Sequence, residues 1–107
     1  MITISIAKDF SIYPAGRLYT DGPYSGERFR KECLTPLLKK KYEKITVILD
    51  GTIGYGSSFL DEAFGGVIRD GLSKEEFYSI FSFISIDDMS LIDEIREYVD
   101  EAELEPA

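Results

Sequence analysis

Hydrophobic residues recur with two different periods along this chain, and the two periods predict strands and helices in turn. Isoleucines alternate with Thr, Ser and Ala across residues 1–7, which is the period of a half-buried first strand. Residues 45–49 are nearly all apolar or β-branched, as is typical of a central strand covered on both faces. Residues 81–86 predict another strand directly after a short helical segment. Between 9 and 18, turn residues mixed with isolated apolar ones indicate a hairpin or an irregular second strand.

Helical spacing first appears in residues 29–38, where the apolar side chains recur on one face and Ser25 precedes them as the predicted N-cap. Pro36 interrupts this pattern, because proline removes a helix hydrogen bond but is tolerated in a first turn. The sequence therefore predicts either a kinked helix or a restart, with Thr35 as the N-cap of the second part.

The most regular helical pattern lies farther along the chain. Six apolar residues keep the i, i+3, i+4 spacing from Phe59 to Ile68, and Gly71 is the predicted C-terminal cap. Ser73 and Glu76 then form a capping box, which predicts the start of a short helix.

The last predicted helix is capped by Asp87 or Asp88 and leads into an acidic tail at about 100–107. Strands that alternate with helices predict an α/β fold, and residues 1–107 show no repeat or linker. We expect a single domain with a mixed sheet of about four strands and helices packed against it. The strand order cannot be read from the pattern.

The net charge of the chain limits the kinds of binding partner that we expect. The chain of 107 residues has 12 basic and 20 acidic residues, a net charge of −8 that repels nucleic acid and anionic membrane surfaces. The apolar stretch at residues 1–7 is too short for a signal peptide. No run in the chain approaches the ~18 consecutive apolar residues of a membrane span. We expect a cytoplasmic protein that binds neither nucleic acid nor membrane.

The chemistry of the side chains argues against catalysis. There is no histidine, the usual general base of hydrolases and the commonest zinc ligand. Adjacent carboxylates such as Asp61 with Glu62 occur where helix caps, first turns or the tail explain them. We therefore expect no catalytic residue, no metal site and no cofactor, and the protein is not expected to be an enzyme.

A glycine-rich loop joins the 45–49 strand to the most regular helix. Its N–H groups and two hydroxyls lie at the positive end of a helix dipole, where a phosphate or carboxylate is best accommodated. The spacing follows the phosphate-binding loop of nucleotide hydrolases except that Ser57 replaces the lysine, so hydrolysis of ATP or GTP is not expected. The residues predicted to contact a partner or ligand are Gly51, Gly54, Tyr55, Gly56, Ser57 and Ser58.

The two serines have different predicted roles. Ser58 and Asp61 stand three residues apart, close to a capping box, so Ser58 is the predicted N-cap. Ser57 is left free to face solvent or a partner. Both remain candidates for phosphorylation.

This arrangement of strand, loop and helix resembles the STAS fold, named for sulfate transporters and anti-sigma factor antagonists. In those antagonists the helix begins with a phosphorylatable serine, and Ser57 falls on that position with Ser58 after it. The chain is also similar over nearly its whole length to the bacterial family described as a STAS-like domain of unknown function. The shared motifs are Lys8-Asp9-Phe10, Gly16-Arg17, Gly22 with Ser25-Gly26-Glu27, Phe29-Arg30 and Ser57-Ser58-Phe59-Leu60-Asp61-Glu62-Ala63-Phe64-Gly65.

Two residues depart from the antagonist motif. Gly56 stands where the antagonists have aspartate, and Phe59 stands where they have a small glycine. The surface that faces a kinase in the antagonists therefore differs in this chain.

Two functional hypotheses follow. The resemblance implies a noncatalytic regulatory module that binds a protein partner, such as a histidine-kinase-like ATPase or another regulator, with phosphorylation of Ser57 as a candidate switch. The alternative is a sensor that holds a nucleotide or phosphorylated small molecule on the loop without hydrolysis, with Arg17 or Arg30 as anion contacts. For Arg17, Arg28 and Arg30 we favour a structural role, as ion-pair partners of Asp9, Glu27 or Glu62, over a ligand clamp. A homodimer through an edge strand or through 81–86 is a further candidate.

Overall fold

The computed structural model describes residues 1–105, and within them the sheet has three short parallel strands. In spatial order they are β1 (Ile2–Ser5), β2 (Ile45–Ile48) and β3 (Phe81–Ile84). Ile4 lies opposite Val47, and Val47 lies opposite Phe83 on the other side. The predicted α/β class is confirmed. The predicted fourth strand is not found in this part of the chain. Both strand pairs are parallel, so the sheet is parallel and not mixed as predicted.

Five helices accompany the strands. They are α1 (Ile6–Asp9), α2 (26–39), α3 (57–69), α4 (Lys74–Ile80) and α5 (Ser90–Leu104). Two of them are interrupted by a wider π turn, Arg30–Leu34 within α2 and Asp61–Gly65 within α3. A short 3₁₀ turn covers Tyr19–Asp21.

Helix α2 begins at the predicted residue and continues through Pro36, where the sequence predicted either a kink or a restart. The Ser25 hydroxyl accepts a hydrogen bond from the backbone N–H of Arg28 at 3.2 Å, so Ser25 is the N-cap. The chain remains helical through Pro36, and Thr35 is not a cap. A π turn immediately before the proline supplies the local change in winding that accommodates a residue without an N–H.

The segment predicted as a hairpin or second strand, residues 9–18, contains no strand. β1 passes directly into α1, because the Ser5 hydroxyl caps that helix at the N–H of Lys8. Farther along, the N–H of Ala15 donates to the carbonyl of Tyr24 at 3.0 Å. The segment therefore pairs with the loop before α2 instead of with the sheet.

The other predicted helix ends are mostly present. Gly71 adopts a φ of +122° after α3, a left-handed value that suits glycine, and its N–H donates to the carbonyl of Ile68 at 3.0 Å. Ser73 and Glu76 form the predicted capping box of α4. The prediction that Asp87 or Asp88 caps the last helix is wrong: α5 begins at Ser90 with Met89 as its N-cap, and the Asp88 carboxylate accepts a hydrogen bond from the Ser90 N–H at 3.0 Å.

The helices bury one face of the sheet more completely than the other. Ile45, Val47 and Phe81 are buried in the common core with residues from each of the five helices. On the opposite face Ser82 and Ile84 are exposed and Thr46 is half-buried. The prediction that β2 is covered on both faces is therefore wrong, because its alternate residues reach a surface that no helix fully covers.

Helices α2 and α3 pack so closely that glycine is required at their contact. A Cβ on Gly26 would lie 2.5 Å from the carbonyl oxygen of Phe59, a backbone atom that cannot rotate away. A Cβ on Gly66 would overlap the Arg30 guanidinium. The rings of Phe29 and Phe59 meet beneath this contact, with centroids 5.9 Å apart. The glycines thus allow the two helices to hold the start of α3 in a fixed position.

Candidate functional site

The glycine loop lies at the carboxyl end of β2, the edge where open parallel sheets generally carry their binding sites. Gly51 turns the chain with a φ of +93°, and a Cβ there would lie 3.1 Å from the Cβ of Ala7. The loop then crosses the end of the sheet to the start of α3. The position of the predicted loop is therefore suited to binding.

Tyr55 anchors the loop to the end of the strand. Its hydroxyl donates a hydrogen bond to the carbonyl of Leu49 at 2.7 Å, and its ring lies 5.8 Å from the ring of Phe59. Burial raises the pKa of the Tyr55 hydroxyl to about 12. The side chain is therefore a neutral structural support rather than a proton donor or acceptor near neutral pH.

Asp50 connects the loop to the segment between β3 and α5. Its carboxylate accepts hydrogen bonds from the N–H groups of Ile86 and Asp87, each at 2.8 Å. Charge-assisted hydrogen bonds of this kind are stronger than neutral ones. They fix two neighbouring loops against each other at the same end of the sheet.

The start of α3 differs from the sequence prediction. Gly56 is the N-cap, and no side chain accepts a hydrogen bond from the first turn. Ser57 is the first helical residue and is exposed, as expected, but Ser58 is the second helical residue and not the cap. The Asp61 carboxylate, which was expected to complete a capping box, instead accepts hydrogen bonds from Arg17 and Arg69.

Ser57 faces α5 across the end of the molecule. The Tyr98 hydroxyl donates to the Glu94 carboxylate at 2.9 Å. Burial and then Glu94 raise the pKa of Tyr98, while the nearby Ser57 side chain acts in the opposite direction. Ser57, Tyr98 and Glu94 therefore form one small polar group. Sequence reasoning missed Tyr98 and Glu94, although their i, i+4 spacing on α5 marks them as neighbours.

A cavity of about 380 Å³ lies between the loop and the start of α5. Four carboxylates line it: Asp50, Asp87, Asp88 and Glu94. No lysine or arginine is among its lining residues within the described chain. Such a surface repels an anion at short range, although the loop N–H groups and the helix dipole attract one.

Neither candidate anion contact lines this cavity. Arg17 forms an ion pair with Asp61 at 2.8 Å and lies 3.7 Å from Glu62. Arg30 is buried, pairs with Glu62 and with Asp70 at 3.0 Å, and donates to the carbonyl of Glu62 at 2.7 Å. Both guanidinium groups thus brace α3 from outside the loop.

An exposed apolar surface flanks the loop on its other side. Ile53 is 71% exposed and Tyr13 is 59% exposed, and the two line a shallow cavity of about 410 Å³ with Tyr55 and Gly56. The N–H of Ile53 donates to the carbonyl of Ile12 at 2.9 Å, which joins the two segments. Sequence reasoning did not select Ile12 and Tyr13, because only the fold brings them beside the loop.

Residues 1–105 contain no group of three or more His, Cys, Asp or Glu side chains arranged to hold a metal ion. Over the same residues no helix combines the length and apolar character needed to cross a membrane.

The chain thus has a parallel sheet with a serine-led helix after its central strand, the arrangement that resembles a STAS-like domain. A family model places the chain more specifically. Residues 25–91 match the family described as STAS-like domain of unknown function (DUF4325), and the chain belongs to that family. The matched range runs from the N-cap of α2 through the loop to the start of α5. Neither the curated proteins nor the solved structures include a match to this chain.

Proposed function

We propose that this protein is a noncatalytic regulatory module that binds a protein partner through its loop surface, defined here as residues 51–58 with Ile12 and Tyr13. The observation that carries the proposal is the coincidence of an exposed serine with an exposed apolar patch. Ser57 lies at a helix start that has no side-chain cap, and Ile53, four residues earlier in the same loop, is largely exposed. Contiguous exposed apolar residues commonly mark sites of protein interaction.

The composition of the loop surface suits a protein interface. Tyrosine and isoleucine supply apolar contact area, and interface cores favour aromatic residues while containing few charges. Tyr55 and Asp50 hold the loop from beneath, so little ordering is needed when a partner binds. A histidine-kinase-like ATPase or another regulator is the class of partner that STAS-like domains suggest.

Phosphorylation of Ser57 would provide the switch. A phosphoryl group adds about −1.5 to −2 charge, which the N–H groups at the start of α3 would stabilise. In the free protein, the Tyr98 hydroxyl could donate its hydrogen bond to the phosphoryl group instead of to the Glu94 carboxylate. Within an interface, however, the new charge would be desolvated beside the Glu94 carboxylate, and partner binding would weaken.

A sensor of phosphorylated ligands has weaker support. The cavity beside the loop is lined by carboxylates, and Arg17 and Arg30 already pair with acidic residues. A thermal shift screen of pure protein against nucleotides and phosphorylated metabolites tests this hypothesis, since a ligand that binds the native state must raise its melting temperature. We expect no shift.

The main experiment is affinity purification of the tagged protein from its native host, with mass spectrometry of its partners and of the peptide containing Ser57. We expect a stoichiometric partner and partial phosphorylation of Ser57. Binding of the purified partner to Ser57→Asp should then be about tenfold weaker, and Ser57→Ala should bind as wild type does.

Ser79→Asp is the matched control for the added charge. Ser79 is an exposed serine near the amino end of the sheet, where its carbonyl accepts a hydrogen bond from Lys44. This end is opposite to the loop surface, so Ser79→Asp should leave binding unchanged. Equal affinities of Ser57→Asp and wild type for the partner would contradict the switch.

A further inference from the structure

We propose that the outer edge of β3 binds an extended segment of a partner protein, which adds to the sheet as a fourth strand. The site is a groove between α4, β3 and α5, called here the β3 groove. The residues that define it are Tyr78, Phe81, Phe83, Ile92 and Arg96. This inference is independent of the loop surface, which lies at the carboxyl end of the sheet.

The backbone of β3 supplies the first argument. The N–H of Leu49, which follows β2, donates to the carbonyl of Ile84 at 2.8 Å, so Ile84 presents its polar backbone groups to the interior of the sheet. Neighbouring residues of a strand present theirs to opposite sides. The N–H and C=O of Phe83 therefore point outward, along the edge that no described strand occupies. An unpaired edge of this kind is a template for another strand.

The shape of the β3 groove supplies the second argument. It has a volume of about 610 Å³ and is lined by three of the four residues of β3, Phe81 to Phe83, which span roughly 10 Å of extended chain. Phe81 is buried at its base, and Tyr78 is 38% exposed on its wall. Alternate side chains of an added strand would contact these aromatic rings, while the backbone paired with Phe83.

The charge of the β3 groove defines the chemistry of the occupant. Lys74 pairs with Asp100 at 3.2 Å, whereas Arg96 has no carboxylate within ion-pair distance in the described residues. Asp100 also lines the β3 groove and neutralises Lys74, so Arg96 is the positive group there that is left for an occupant, in a chain whose net charge is −8. We expect the bound segment to have an acidic side chain for Arg96, with apolar side chains at alternating positions.

A peptide-display library of random ten-residue segments, selected against the whole purified protein, tests this proposal. The expected selected peptides alternate apolar residues and contain a carboxylate. Their affinity should fall about tenfold or more in Arg96→Glu, because a like charge replaces the partner of the carboxylate. Lys40→Glu makes the same charge change at an exposed residue outside the groove and should leave the affinity unchanged.

Amide hydrogen exchange gives a readout at the backbone. The bound peptide should slow exchange of the Phe83 amide, and Ser57→Asp should bind the same peptide as wild type does, which separates this site from the loop surface. The proposal is overturned if no peptide is selected, or if the selected peptides bind Arg96→Glu equally well without slowing Phe83 exchange. It is also overturned if light scattering shows a dimer that Arg96→Glu abolishes, because the occupant would then be a second copy.

Discussion

Two serines open two neighbouring helices of this protein, and only one of them is needed for the helix. Ser25, before α2, is fully buried and its hydroxyl caps the N–H of Arg28. Ser57, at the start of α3, is exposed and caps nothing in the first turn. Ser25 occupies the N-cap position and Ser57 the first helical position, so the first serine is structural and the second is available. The difference shows that a serine at a helix start acquires a role only through its surroundings.

The largest expected effect comes from breaking the contact that holds the two helix starts together. In Gly26→Ala the new methyl group would lie 2.5 Å from the Phe59 carbonyl oxygen, so α2 and α3 must separate. We expect the free energy of unfolding to fall by about 1–3 kcal/mol. Urea unfolding followed by circular dichroism measures this change.

Gly56→Ala is the control for Gly26→Ala, because its Cβ would meet nothing within 4 Å and its φ of −77° suits any residue. It should cost less than about 1 kcal/mol, mainly through the poorer capping by alanine. An equal loss in both variants would show that close helix packing is not the reason for glycine at 26.

The second effect tests the two serines directly. Ser25→Ala removes the acceptor of the Arg28 N–H in a buried environment, and we expect a loss of about 1–2 kcal/mol in the free energy of unfolding. Ser57→Ala should change it by less than about 0.5 kcal/mol, as expected of an exposed side chain. The comparison fails if the two alanine variants unfold at the same urea concentration.

The smallest expected effect comes from a substitution that makes the start of α3 resemble the start of α2. In Gly56→Ser the N-cap position of α3 acquires a hydroxyl for a free N–H group of the first turn. Since serine improves on glycine there by only a few tenths of a kcal/mol, we expect a slightly higher melting temperature. Differential scanning calorimetry resolves this change. A lower melting temperature would mean that the loop does not allow the serine rotamer required for capping.

Local signals allowed much of the fold to be predicted, and distant contacts account for the errors. Gly71 and the Ser73 capping box were recognisable because each acts within one turn of its own helix. The π turn before Pro36 was not, since the position of the proline is compatible with both a kinked helix and a restart. The segment 9–18 was predicted as a hairpin or an irregular strand because its backbone pairing with the residues before α2 is not visible in the local pattern.

In the candidate site, too, the features set by local sequence were predictable and those set by distant contacts were not. The exposure of Ser57 was predictable from its place before the regular pattern of α3. The assignment of Ser58 as the cap was wrong because Arg17 and Arg69 engage the Asp61 carboxylate, and neither ion pair is visible in the local sequence. The carboxylates around the loop come from three separate segments. Their convergence depends on the parallel sheet, which places the ends of all its strands at one edge.

The parallel pairing also has a consequence for how the protein folds. Ile45 pairs with Ile2 on one side and with Phe81 on the other, so neither strand pair can form as a local hairpin. Such distant pairings slow folding, because a long loop must close before the contacts form. During synthesis, β2 must wait for α3 and α4 to emerge before it meets β3. Until then its free edge stays open to aberrant pairing with other chains.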